Sequence, residues 1–264
     1  MLVDVHCHFS YYQEDIDRAL KDIRENGVLM VSVSTDFPSY NDSLELAKRS
    51  ELILPVFGIH PMVAHEHMDQ LETIRKTADG VLMLGEIGLD RMWTEDTSHH
   101  PYQDTLLEVF LESAQKHDTI MILHVAGAEN EVLSMLENYS IRKAIIHDYY
   151  GPIDLVERII DTDYYFAFDR SYMESYESEI KGWKERLGIT KMIPDDLFLI
   201  ETDGPNRPPG RRMPFEALQI VAERIAELRG TTAEEIAAQS SKNFLNLIKD
   251  DSRLSKYANI LRRS

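Results

Sequence analysis

Five histidines and two acids carry the chemistry of this chain, because each stands at or just beyond the end of a short apolar run. His6 and His8 bracket the end of the first run, and His60 lies just past the third. Glu86 ends the fourth, His124 the fifth and His147 the sixth, while Asp203 follows the eighth. Residues two apart on an extended chain point the same way, so His6 and His8 can reach one ion. By that alternation Asp4 shares their side, placed to orient a ligand, and Cys7 points oppositely, into packing. Glu86 sits between glycines in Gly85-Glu86-Ile87-Gly88-Leu89-Asp90. A buried carboxylate is costly unless paired or metal-bound, and its two oxygens can bridge two cations. Imidazoles in this number suit Zn2+, Mn2+ or Fe2+. Asp203 can ligate a metal and accept a proton from water, and Glu201 shares its side as a supporting carboxylate. Taken singly, each of these residues also reads as a satisfied core histidine or a structural ion pair. Together His6, His8, Glu86, His124, His147 and Asp203 exceed one tetrahedral ion. They suit two ions about 3.5–4 Å apart with a water activated between them, Asp203 and Glu86 being the catalytic carboxylates.

Such a set needs a scaffold that gathers strand ends. Apolar runs near residues 2–6, 28–34, 53–58, 81–86, 120–124, 144–147, 164–168 and 197–202 do not alternate strictly, as strands covered on both faces do not. Helical periodicity fills 14–25, 102–116 and 214–228, and a last long helix is expected over 233–249, capped by Thr231 or Thr232. Strands alternating with helices predict an α/β fold, a TIM (β/α)8 barrel of the metal-dependent hydrolase type, over residues 1–264 as a single domain. The alternative is an open doubly wound sheet. In a barrel all the C-terminal strand ends meet at one rim, where active sites form. Residues 205–212 read as an active-site loop, and the basic tail 256–263 as a surface helix or frayed end. His65, His67, His99, His100 and His117 read as ordinary loop or helix residues.

The 264 residues carry 28 Lys and Arg against 46 Asp and Glu, a net charge of −18. That argues against a non-specific duplex DNA binder, whose affinity comes from cations on phosphates. It leaves phosphate chemistry open, since bound metals add local positive charge. The longest clean apolar run, 52–59, is too short for a membrane span, so no membrane association is expected. The start lacks a basic region before an apolar stretch, so no secretory signal is expected. The lone Cys7 excludes an intrachain disulfide and points to a cytoplasmic setting.

Five blocks resemble the TatD family of metal-dependent deoxyribonucleases within the amidohydrolase superfamily. They are Asp4-Val5-His6-Cys7-His8, Gly58-Ile59-His60-Pro61, Gly85-Glu86-Ile87-Gly88-Leu89-Asp90, His147-Asp148-Tyr149-Tyr150-Gly151 and Glu201-Thr202-Asp203-Gly204-Pro205. The resemblance implies a barrel with two divalent metals, Mg2+, Mn2+ or Zn2+. It implies His6, His8 and Asp203 on an inner ion, His124 and His147 on an outer one, and Glu86 bridging. It places His60 at the scissile phosphate or leaving group. The implied reaction is phosphodiester hydrolysis on DNA ends or a small phosphodiester.

Three departures bear on substrate. No Arg follows His124, Tyr149 and Tyr150 replace a smaller Phe-Ser pair, and Arg211-Arg212-Met213-Pro214 lacks the family's Asn. Arg207, Arg211 or Arg212 is expected to hold a phosphate, and Trp93, Tyr149 or Tyr150 to stack a base. The missing Arg and the negative charge also fit a two-metal hydrolase of a small amide, lactone or ester. A non-catalytic metal-binding scaffold is the third reading. The oligomeric state is left open.

Overall fold

Runs rich in Val, Ile and Leu form parallel strands because both of their faces find apolar cover. A computed structural model describes residues 1–149, 151–173, 177, 183–205 and 211–263. The strands are β1 Leu2–Cys7, β2 Val28–Ser32, β3 Ile53–Pro55, β4 Met83–Asp90, β5 Ile120–Ala126, β6 Ala144–His147, β7 Tyr165–Phe168 and β8 Phe198–Ile200. They pair in sequence order as β1-β2-β3 and β4-β5-β6-β7-β8, every pair parallel. A Phe57–Leu84 bridge joins the two sheets, with Gly85 N donating to Phe57 O at 2.8 Å. At the other seam Asp203 N donates to His6 O at 3.0 Å and His8 N to Gly204 O at 2.9 Å. The ring so formed is the expected α/β barrel and not an open sheet.

The described helices are α1 Ile16–Asn26, α2 Phe37–Arg49, α3 Leu71–Ala78, α4 His100–His117, α5 Glu129–Asn138, α6 Val156–Ile160, α7 Trp183–Met192, α8 Pro214–Arg229, α9 Ala233–Ile248 and α10 Ser255–Arg262. Thr232 caps α9, its Oγ1 accepting from Glu235 N at 3.2 Å, so the polar start that the sequence suggests is made.

Apolar packing divides into two clusters. In one, the strand residues Val3, Val5, Leu29, Val31, Leu54, Ile122, Ile145 and Leu199 meet Phe244, Ile248, Leu254 and Tyr257 from the last two helices and the turn between them. In the other, the opposite strand faces pack against helices such as α1, α4, α5 and α8. The chain end is therefore more than a surface helix. One face of α10 is buried through Tyr257 and Ala258, and Tyr257 Oη donates to Ile53 O at 3.0 Å. Burying that ring there seals the inner cluster at the end of the barrel away from the histidines.

Candidate metal centre

Two local irregularities aim the first candidate ligands. The β1–β2 ladder shifts register between Asp4 and Cys7, and the β4–β5 ladder between Leu84 and Ile87. Such shifts re-aim side chains beside active sites, and here they fall on the strand stretches that carry His6 and Glu86. Glycines give the second shift its room. A Cβ on Gly58 would lie 2.4 Å from the backbone N and O of Glu86. Gly88 has φ +147°, and a Cβ on it would sit 1.9 Å from His124 O. Asp203 has φ 47°, in the left-handed region that Asp tolerates better than most residues.

Glu86 is the hub of the site. Its Oε1 lies 2.9 Å from His124 Nδ1, 3.3 Å from His60 Nε2 and 3.8 Å from His147 Nε2. Its Oε2 lies 3.4 Å from both His6 Nε2 and His8 Nε2. Asp203 Oδ1 stands 3.2 Å from His8 Nε2 and 3.7 Å from His6 Nε2, and its Oδ2 4.0 Å from His147 Nε2. The His6 and His147 rings stack with centroids 3.7 Å apart. Three sets of ligand atoms each lie within 4.8 Å of one another: His6, His8, Asp203; His6, Glu86, His147; and His60, Glu86, His124.

The donor chemistry fits divalent cations. Both ring nitrogens of His6 and Nδ1 of His8 are buried with no hydrogen-bond partner among the described residues. Buried polar atoms are rarely left unpaired, and neutral imidazole nitrogens facing carboxylates are what a borderline cation binds. Proton positions point the same way. Burial pushes the Glu86 carboxyl up, but the nearby His60 and His6 and the bond from His124 hold it well below its usual range. Burial opposes charge on His8, yet Asp203 and Glu86 raise it to about 10. Burial likewise opposes His124, and Asp90 with Glu86 raises it to about 9. Burial pushes the pKa of His6 and His60 down.

Flanking carboxylates hold the rings. Glu201 Oε1 lies 2.5 Å from His147 Nδ1 and accepts from Asp148 N at 3.2 Å, which turns His147 Nε2 toward Glu86 and Asp203. Burial raises the Glu201 pKa well above the usual carboxylate range. Asp90 Oδ2 lies 3.2 Å from His124 Nε2, while its Oδ1 accepts from Met92 N at 3.0 Å and Trp93 N at 2.7 Å. Asp90 was assigned no role from the sequence, although it follows Glu86 and Gly88 at steps of two in a block already singled out.

The structure brings His6, His8, His60, Glu86, His124, His147 and Asp203 together. Other expectations need correction. Asp4 holds no ring: its Oδ1 accepts from Thr202 N at 3.0 Å and His6 N at 3.3 Å, and its Oδ2 from Thr202 Oγ1 at 2.6 Å. The register shift after Asp4 breaks the alternation on which its placement relied. Cys7 is buried, its Sγ 3.5 Å from Gly204 O, in keeping with packing. Tyr149 does not reach substrate. It is 1% exposed, its ring meets Phe166, and its Oη donates to Pro152 O at 2.7 Å. Arg212 is engaged elsewhere too, since its guanidinium pairs with Glu216 in the first turn of α8. Arg211 donates to the carbonyls of Tyr11 and Tyr12. Arg207 and Tyr150 lie outside the described residues.

A cavity of about 450 Å³ opens on the centre, lined by His8, Thr35, His60, Met62, Glu86, Asp90, Trp93, His124, His147 and Asp203. Among these described residues there is no Lys or Arg. A larger hollow of about 720 Å³, lined by residues such as Lys191, Phe198 and Gln239, contains none of the clustered side chains and is set aside as the site.

The sequence model of one protein family, described as TatD related DNase, matches residues 3–249. A relative named an uncharacterized metal-dependent hydrolase, YabD of Bacillus subtilis, is 27% identical over 94% of this chain and 99% of its own. Human deoxyribonuclease TATDN3 is 26% identical over 93% of this chain and 94% of its own. Among solved structures, the TatD homologue YJJV of Escherichia coli K12 superposes with a TM-score of 0.81 at 24% identity. That alignment covers 93% of this chain and 97% of the other.

Proposed function

The chain belongs to the TatD related DNase family, and from that membership and the geometry of Glu86 we propose that it removes nucleotides from DNA ends with two divalent ions. It is a metal-dependent hydrolase acting on phosphodiester bonds. The observation that carries the two-ion reading is the division of Glu86. One oxygen faces His124, His60 and His147 and the other faces His6 and His8, as a bridging carboxylate requires.

Divalent cations there, Mg2+, Mn2+ or Zn2+, lower the pKa of water and offset the charge gathering at phosphorus. His6, His8 and Asp203 would hold the inner ion, and His124 and His147 the outer. Asp203 takes the proton of the attacking water. Its left-handed backbone and its bond to His6 O fix the carboxylate that does so. His60, beside His124 on the cavity wall, holds a phosphate oxygen. Glu201 and Asp90 orient His147 and His124. Residues 1–264 act as one catalytic domain, in the cytoplasm.

The test is release of nucleotides from single-stranded DNA by the purified chain with Mn2+ or Mg2+. Release is expected to stop on chelation and to fall on the order of 10³-fold in Asp203→Asn protein. Release that survives both removes the assignment. The absence of Lys and Arg among the described lining residues favours one second reading, hydrolysis of a small uncharged amide, lactone or ester. A substrate panel with matched metal separates the two.

A further inference from the structure

Large apolar side chains left in water are not scattered over this molecule. Of six with substantial exposure among the described residues, four (Met62, Met92, Trp93 and Tyr102) lie in the segment after β3, the segment after β4 or the first turn of α4. Two of them, Met62 and Trp93, line the metal cavity itself. Met62 is 43% exposed and Trp93 42%, and the Trp93 ring centroid stands 6.0 Å from that of His124. Exposed apolar surface beside a site marks where a ligand rests.

Trp93 is also held in place. Asp90 grips the backbone of residues 92–94 with one carboxylate oxygen and contacts His124 with the other. One side chain therefore sets the distance between the indole and the outer half of the centre. The arginines described near it bind other protein groups. Arg91 donates to His100 O and Gln103 Oε1 and pairs with Asp104, and Arg211 and Arg212 serve other protein groups. The described wall thus offers a flat aromatic ring and a polarizable thioether, not a charge, to whatever adjoins the reacting group.

We propose that Trp93, with Met62 in the same cavity lining, is the seat of the nucleobase next to the scissile phosphate and determines specificity for a base-bearing end. This rests on the phosphodiesterase reading above. The base lies on the indole while its phosphate reaches the metal centre. The deoxyribose supplies the span between them.

Two measurements decide it. The first compares single strands that end in an ordinary nucleotide with strands ending in an abasic one. Wild-type protein is expected to favour the base-bearing end by about 5- to 150-fold in kcat/KM, the ratio that stacking on an aromatic ring supplies. Trp93→Ala brings that ratio close to one, and Trp93→Phe restores most of it. The second needs no turnover. The chain has two tryptophans, and Trp183 is 5% exposed, so an emission change on ligand binding reports mainly Trp93. Thymidine 5′-monophosphate is expected to quench the Mg2+-loaded protein, and deoxyribose 5-phosphate to leave it unchanged. Equal responses to the two, or a ratio untouched in Trp93→Ala, overturns the seat. Failure of wild-type protein to cleave any strand counts against the phosphodiesterase reading, and the fluorescence comparison then decides the seat alone.

Discussion

The two sides of Glu86 are built differently. Toward Oε2 stand His6, with no exposure, and His8, backed by Asp203 and by the His147 ring stacked on His6. Two carboxylates brace this side from behind, Glu201 on His147 and Asp4 across to Thr202. Toward Oε1 stand His60 and His124, which share the cavity with His8 and Asp203 but have Met62 and Trp93 beside them. Here Asp90 braces His124 and also carries the loop that meets solvent. The His6 side is the more deeply buried of the two, through His6 itself. The open side, toward Oε1, ties the orientation of His124 to an exposed apolar surface. His147 belongs to both, since it stacks on His6 and reaches toward Oε1.

Breaking the hub removes the contrast altogether. Glu86→Gln is expected to empty both sides and to lower kcat by on the order of 10³-fold or more, read by metal analysis and rate together. Glu201→Gln probes His147, the ring that the two sides share. Loss of the group that fixes a ligating imidazole costs about 10- to 100-fold in metal affinity or activity. That variant should leave Trp93 emission unchanged, and an altered spectrum would show that the Trp93 loop is not independent of that ring. On the open side, Asp90→Asn is expected to cost about tenfold, at the low end of the same range. It should shift Trp93 emission and raise KM, because the loop loses its anchor along with His124. The smallest effect belongs to Arg212→Ala. An exposed ion pair is worth under about 1 kcal/mol, so thermal stability should barely move. Its kcat/KM should be unchanged, and a large fall would restore the phosphate contact that the Glu216 pair argues against.

How much of this was legible in the sequence depended on which physical rule applied. The gathering of histidines and acids at strand ends was readable because each apolar run closes on a polar residue, and a parallel barrel sends all those ends to one rim. Asp90 was equally readable by steps of two from Glu86. Asp4 was misplaced by the same rule, because the ladder slips after it and alternation holds only where register does. Tyr149 and Arg212 lie beyond strand ends, where no periodicity says which way a side chain turns. Both went to intramolecular partners, the Pro152 carbonyl and Glu216. The tail read as solvent-facing from its charges, but Tyr257 and Ala258 lie close enough on one helix to bury a face while Lys256 stays outside.

The most direct measurement is anomalous diffraction from crystals of the protein grown with Mn2+. Two peaks are predicted, one among His6, His8 and Asp203 and one beside His124 and His147, with a Glu86 oxygen turned to each. A single peak remote from Glu86, or none at full Mn2+ loading, would contradict the bridging role on which the catalytic account stands.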